Sequence, residues 1–246
     1  ADLAALAASE SVQLFLDRAS SVKPDFALTA DNAPAVVEIC RRLDANPLAI
    51  ELAATRVRAM TPQLIAERLE QRFRLLTGGS RSALPQQQTL RAALDWSHDL
   101  LDDRERRLFR RLSVFAGGWL LEAAEAVCAD RDGETVAGEP IADWDVLDLA
   151  SQLIAKSLVN VDDEAGMRHW MQQTVREYAA EQLAAAGEQE ALARRHALQC
   201  LSLAEAAEAE LAGPGMGEAL LRLDRERANL LSALAWSASG GDVELA

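Results

Sequence analysis

Asp162 and Asp163 close the apolar run "LVNVDD", the pattern of a strand that hands carboxylates to a magnesium-bound phosphate. The residues after them, "DDEAG" and then "MRHWM", instead make the acid pair the turn of a short hairpin, a role their side chains suit. The hairpin is the preferred reading. No G-x-x-x-x-G-K-[ST] accompanies the acids, and "TGGSRSA" lacks both the lysine and a preceding strand. No two of His98, His169 and His196 are spaced i, i+4 and none adjoins a C-x-x-C, so no metal site is expected. No serine lies in a G-x-S-x-G elbow. No catalytic centre assembles from these residues, and the chain is not expected to be an enzyme. One basic stretch remains, "DDRERRLFRR", where helical spacing puts Arg104, Arg107 and Arg111 on one face, with Arg106 and Arg110 nearby. It reads as a solvated face partly offset by Asp103 and Glu105, as a docking surface for a protein partner or, last, as a DNA contact.

The elements that position these residues are helical. Half of the 246 residues are hydrophobic but only 4% are aromatic, so the cores must be built from Ala, Leu, Val and Ile. Abundant Ala, Leu, Glu and Arg favour helix. Ser9 can cap a helix that carries Val12, Phe15, Leu16 and Ala19 on one face. Thr29 or Asp31 starts a second, through Leu43. Pro47 fits the first turn of a third, where its missing N–H costs nothing. The run after it, Leu48 to Ala54, is apolar almost all round, with Glu51 the exception. A carboxylate there either needs a partner if buried, with Arg41 or Arg42 the expected one, or sits exposed at a cleft edge. Thr61-Pro62 begins a fourth helix. Residues 1–76 are therefore a small four-helix domain, and the Gly-, Ser- and Pro-bearing stretch 77–88 is a linker.

Residues 89–187 read as a second domain. "TLRAALDWSHDLL" opens it. A helix follows with Asp102 and Glu105 as a capping box, then the turn "FAGGW" and the helix "LLEAAEAVC". "DWDVLDLASQLIAKS" is the next helix, and the hairpin and "QQTVREYAAEQLAAA" complete the order of a winged helix. Residues 188–246 hold two long helices joined by a "GPG" turn, the pattern that starts a helical solenoid. The expected fold is mainly α throughout.

Composition sets the partners. With 25 basic and 39 acidic side chains, the formal charge of −14 argues against direct contact with nucleic acid or an anionic membrane. In a DNA-reading winged helix the helix before the wing carries basic or amide side chains, whereas this one carries Asp143, Asp145 and Asp148. Cys40, Cys128 and Cys200 lie in apolar runs without a C-x-x-C, which predicts reduced, buried thiols and a cytoplasmic protein. No run approaches the length of a membrane span. The start "ADLAALAASE" reads as the inside of a longer protein.

These segments, in this order, carry a resemblance. "EICRRLDANPLAIELAATRVRAMTPQLIAERL", "FRLLTGG", "QQTLRAALDWSHDLLDDRERRLFRRLSVFAGGWLLEAAEAVC", "LIAKSLV" and "TVREYAAEQL" resemble the C-terminal part of STAND-class NTPases of the NB-ARC type. The nearest group is that of bacterial AfsR/LuxR-type transcriptional regulators. The resemblance implies an upstream P-loop domain, then a small helical domain, a winged helix and tetratricopeptide-like repeats. It implies ATP or ADP as the cofactor of a slow ATPase switch in the parent, held only weakly by this fragment. It implies a protein or small-molecule inducer at the helical region. The family's "GLPL" motif falls on Ala45-Asn46-Pro47-Leu48, which makes Pro47 and Leu48 nucleotide-contacting positions. Ala45 stands where the family has glycine. The family's "MHD" motif falls on Met171-Gln172-Gln173, so Gln172 takes the place of the histidine that senses the β-phosphate. Two alternatives stay open: a DNA-binding winged-helix protein, and an interaction scaffold without nucleotide sensing.

Overall fold

The structure, a computed structural model, describes residues 8–43, 45–76, 85–131, 139–163, 166–211 and 213–240. Helices dominate them, with one antiparallel two-stranded hairpin. The chain divides into two compact units, one running to Asp102 and including 155–157, the other holding the rest.

The first unit contains α1 (Glu10–Val22), α2 (Ala33–Arg42), α3 (Pro47–Ala54), a 3-10 turn (Thr55–Arg58), α4 (Pro62–Leu76) and α5 (Pro85–Asp99). Val12, Phe15 and Ala19 bury the predicted face of α1. The start of α2 falls at Asn32, later than expected, because Thr29 and Asn32 cross-bond: each side-chain oxygen accepts the other's backbone N–H, at 2.9 and 3.3 Å. A helix apolar all round must lie inside its unit. So it is with α3, which buries Leu48, Ala49, Ile50, Leu52, Ala53 and Ala54 and packs on both α1 and α5. Glu51 pairs with Arg18 at 3.0 Å, not with Arg41 or Arg42. Those two arginines instead hold Glu38 one turn earlier on α2, Arg41 foremost, and bring its carboxyl down to about 2.

The bundle gains a fifth helix. The sequence groups "TLRAALDWSHDLL" with the second domain, but α5 packs on α3 and α4 and buries Ala92, Ala93, Leu94 and Trp96 in the first unit. Buried Arg56 places its guanidinium 5.9 Å above the Trp96 ring, a cation–π contact. Of the predicted linker, 77–84 lies outside the described residues and 85–88 open α5.

The second unit begins with α6 (Asp103–Arg111) and a 3-10 turn (Leu112–Val114). Then come α7 (Leu121–Cys128), α8 (Asp145–Ala155), β1 (Asn160–Asp162), β2 (Arg168–Trp170) and α9 (Gln173–Ala185). It ends with α10 (Gln189–Leu211), α11 (Met216–Arg225) and α12 (Arg227–Ala238). Asn160, Val161 and Asp162 face Trp170, His169 and Arg168 across the hairpin. Asp163 lies in the turn, its carbonyl accepting the Gly166 N–H, whereas Asp162, expected there too, is the last residue of β1 and pairs with Arg168 across the hairpin. Trp119, between α6 and α7, exchanges two 2.8 Å backbone hydrogen bonds with His169 and adds a one-residue third strand. The second long helix foreseen for the C-terminal region is broken at Glu226 into α11 and α12. α10 packs on α7, α11 and α12.

Candidate functional site

The "DDRERRLFRR" helix holds its own unit together. Arg107 and Arg111 are buried and converge on Asp130 at 3.2 and 2.8 Å. Arg110 and Arg111 also hold Glu188 at 2.8 and 3.3 Å, and Arg111 donates to the Cys128 carbonyl at 2.7 Å. Arg104 pairs with Asp145. The expectation of a docking face on Arg104, Arg107 and Arg111 is corrected accordingly. Their period matches the apolar period of α6, so the charged stripe turns inward, towards acids supplied from elsewhere in the chain. Burial raises the carboxyls of Asp130 and Glu188. For Asp130 the Ile141 N–H and Arg111 outweigh that cost, and for Glu188 Arg110 and Arg111 do, leaving both below the usual carboxylate range.

Ala45 to Leu48 form the entrance to α3. Ala45 adopts φ +53°, the left-handed region in which glycine carries no Cβ penalty. Asn46 caps the helix, its Oδ1 accepting the Ala49 N–H at 3.1 Å. Pro47 is exposed at the first helical position, and Leu48 is buried behind it. Gln172, in the second unit, is half-buried at the N-cap of α9 and makes no side-chain capping bond. Gln173 is exposed and donates to Glu177 at 2.7 Å. Pro47 and Leu48 thus belong to one unit and Gln172 to the other.

A polar joint in the second unit has no counterpart among the residues singled out from sequence. Gly117 and Gly118 form the turn of "FAGGW". A Cβ on Gly117 would lie 2.7 Å from the Ala228 Cβ. One on Gly118, at φ +79°, would lie 2.6 Å from the His169 oxygen. Asn229 of α12 is buried and reads this turn with both ends of its amide. Its Oδ1 accepts the Ala116 and Gly117 N–H groups at 2.8 and 3.3 Å, and its Nδ2 donates to the Gly118 carbonyl at 2.8 Å. Arg168, on β2, donates to the Gly117 and Gly118 carbonyls at 3.0 Å each and to Glu226 at 2.5 Å. Glu226 accepts in turn from Asn229 at 2.6 Å. The hairpin, the glycine turn and the α11–α12 break are therefore one hydrogen-bonded assembly. Two signals could have found it: the double glycine, and a lone asparagine inside the apolar run "RANLLSALAW".

Around this joint the aromatic side chains stack. Phe115 lies on Trp119 at 5.5 Å, Trp119 on His169 at 6.2 Å, and the His196 ring meets Phe115 edge-on at 5.2 Å. Burial pulls the imidazoles of His169 and His196 below their ordinary value. It pushes the thiols of Cys40 and Cys200 up to about 11 and that of Cys128 to about 12; all three are free and buried, as expected. On α8 and the residues leading into it the solvent face shows Asp143, Trp144, Leu147 and Asp148, acidic and apolar. Among the described residues no group of three potential ligands gathers to hold a metal, and no helix is long and apolar enough to cross a membrane.

No family model matches the chain, and no solved structure does. Two curated relatives from Mycobacterium tuberculosis and one from Mycobacterium bovis, each provisionally named an HTH-type transcriptional regulator, are 46% identical over 238 residues. That alignment takes in 95% of this chain and 26% of the relative. An uncharacterised Mycobacterium tuberculosis protein is 42% identical over 189 residues, 76% of this chain and 46% of its own. The chain thus spans about a quarter of the length of the regulators it matches. Over nearly all of its own length it is similar to a stretch of mycobacterial proteins named as transcriptional regulators.

Proposed function

We propose that the chain is the nucleotide-responsive regulatory part of a STAND-type transcriptional regulator, its first unit the small helical domain and its second a winged helix continued by a repeat-like helical arm. The observation that carries this reading is Ala45. The position matching the family's glycine adopts φ +53°, so the backbone keeps the shape that glycine serves although the residue has changed. Support comes also from the hairpin with its Trp119 strand, placed after three helices as in a winged helix, and from the similarity to named regulators.

ATP or ADP fits these residues in part. Exposed Pro47 at the α3 entrance offers an apolar face suited to an adenine ring, and the half-buried Gln172 amide can donate a hydrogen bond. Neither brings a cation, so a triphosphate would take its charge complement from an upstream P-loop domain. The chain's own contribution is contact and orientation. Calorimetry with ATP and ADP on this chain should give no tight, magnesium-dependent binding. In a full-length parent, Pro47→Ala should shorten ADP retention. Nucleotide turnover by the chain alone, or unchanged retention in the variant, would count against the proposal.

Reading of DNA by α8 is disfavoured. A groove-reading helix needs donors where this one presents Asp143 and Asp148 beside Trp144 and Leu147. A mobility-shift titration at low salt should show no retarded complex. Salt-sensitive binding would revive the DNA reading.

A further inference from the structure

We propose that the second unit binds a small primary amine with an aromatic or branched apolar body, in the cavity bordered by α7, α10 and α12. The proposal does not depend on the nucleotide reading. The cavity, open to solvent on the side of exposed Glu122, has a volume of about 130 Å³, so it holds the apolar body while the amine stays at the mouth. An apolar cavity of about 150 Å³ is large enough to take benzene. Phe115, Leu120, Ala123, Leu203 and Leu230 supply the apolar walls, and His196 and Cys200, 3.7 Å apart, form one side.

Charge selects among apolar ligands of that size. Two carboxylates, Glu122 and Glu226, line the cavity, and no lysine or arginine does. Glu226 is held by Arg168 and Asn229. Glu122 is exposed and takes part in no salt bridge among the described residues. An ammonium group therefore meets Glu122 while the apolar body lies against Phe115 and the leucines. A carboxylate ligand of the same shape meets the like charge of Glu122 instead, with Glu226 already held by Arg168. The cavity also touches the joint, because Glu226 and Asn229 both line it and both hold the glycine turn and the hairpin. A ligand seated there presses on the residues that position the wing.

Benzylamine, benzyl alcohol and benzoate titrated calorimetrically into this chain test the proposal. Benzylamine is expected to saturate with Kd on the order of 1 mM, as its size allows. Benzyl alcohol should bind about tenfold more weakly, the worth of one partly exposed ion pair, and benzoate should give no saturable signal. Ala123→Trp fills the cavity and should abolish benzylamine binding. Glu122→Gln, an exposed change that leaves the packing alone, should bring amine and alcohol to equal affinity. Absence of saturable benzylamine binding, an amine preference that survives Glu122→Gln, or benzoate binding as tightly as the amine would each overturn the proposal.

Discussion

Single residues carry backbone strain in this chain. Ala45 holds a left-handed conformation that costs an ordinary residue about 1–2 kcal/mol, set against about 0.5–1 kcal/mol for the extra chain entropy of glycine. Ala45→Gly should therefore raise stability by up to about 1.5 kcal/mol, read as a higher denaturant midpoint with an unchanged slope. A lower midpoint would show that the methyl group makes a compensating contact. Gly118 is the opposite case. Its φ of +79° and the 2.6 Å approach of any Cβ to the His169 oxygen leave no room for a side chain. Gly118→Ala should cost at least about 2 kcal/mol in chemical denaturation, since strain and clash add.

Between elements, polar geometry governs what propensity does not. Asn229 satisfies three backbone groups of a turn more than 100 residues earlier in the chain. Asn229→Ala should cost about 2–3 kcal/mol, because it leaves buried donors and an acceptor without partners. Hydrogen exchange should show amides 116–118 and the β2 strand losing protection together. Exchange that rises at 116–118 alone would mean that the hairpin is held independently. The helices themselves were legible. Apolar spacing located α1 to α4, Pro47 and Pro62 marked two starts to the residue, and the change of period found the hairpin. The orientation of α6 was not legible. Periodicity says that Arg104, Arg107 and Arg111 share a face, but not that acids elsewhere in the chain turn that face inward. Asn229, Arg168 and Glu226 escaped for the same reason: side chains far apart in sequence pair only once the fold exists. The nucleotide-contact role proposed for Pro47, Leu48 and Gln172 was reachable only through family resemblance, since no local spacing implies it.

For the molecule as a whole, the buried imidazoles set the response to mild acid. His169 and His196 titrate below their ordinary value because burial disfavours the charged ring. Near pH 6.5 and just below, the unfolded chain therefore takes up protons that the folded chain refuses, and stability falls as the pH drops from 7 towards 5. Asp130 and Glu188 titrate below the usual carboxylate range, so their contribution persists until the pH falls below about 4. The slope between pH 7 and 5 should flatten when His169 and His196 are both replaced by Gln, as measured by urea unfolding at each pH. An unaltered slope would assign the effect to other groups.

The glycine-turn joint fixes spacing as well as identity. One amide at position 229 reaches three backbone groups while Glu226, three residues earlier, reaches Arg168. Inserting a single residue between them would swing the amide about 100° around the helix axis and release the turn. Substitutions elsewhere along α12 leave that grip intact, whereas any change in the count of residues from 226 to 229 unhooks the hairpin and the glycine turn from α12.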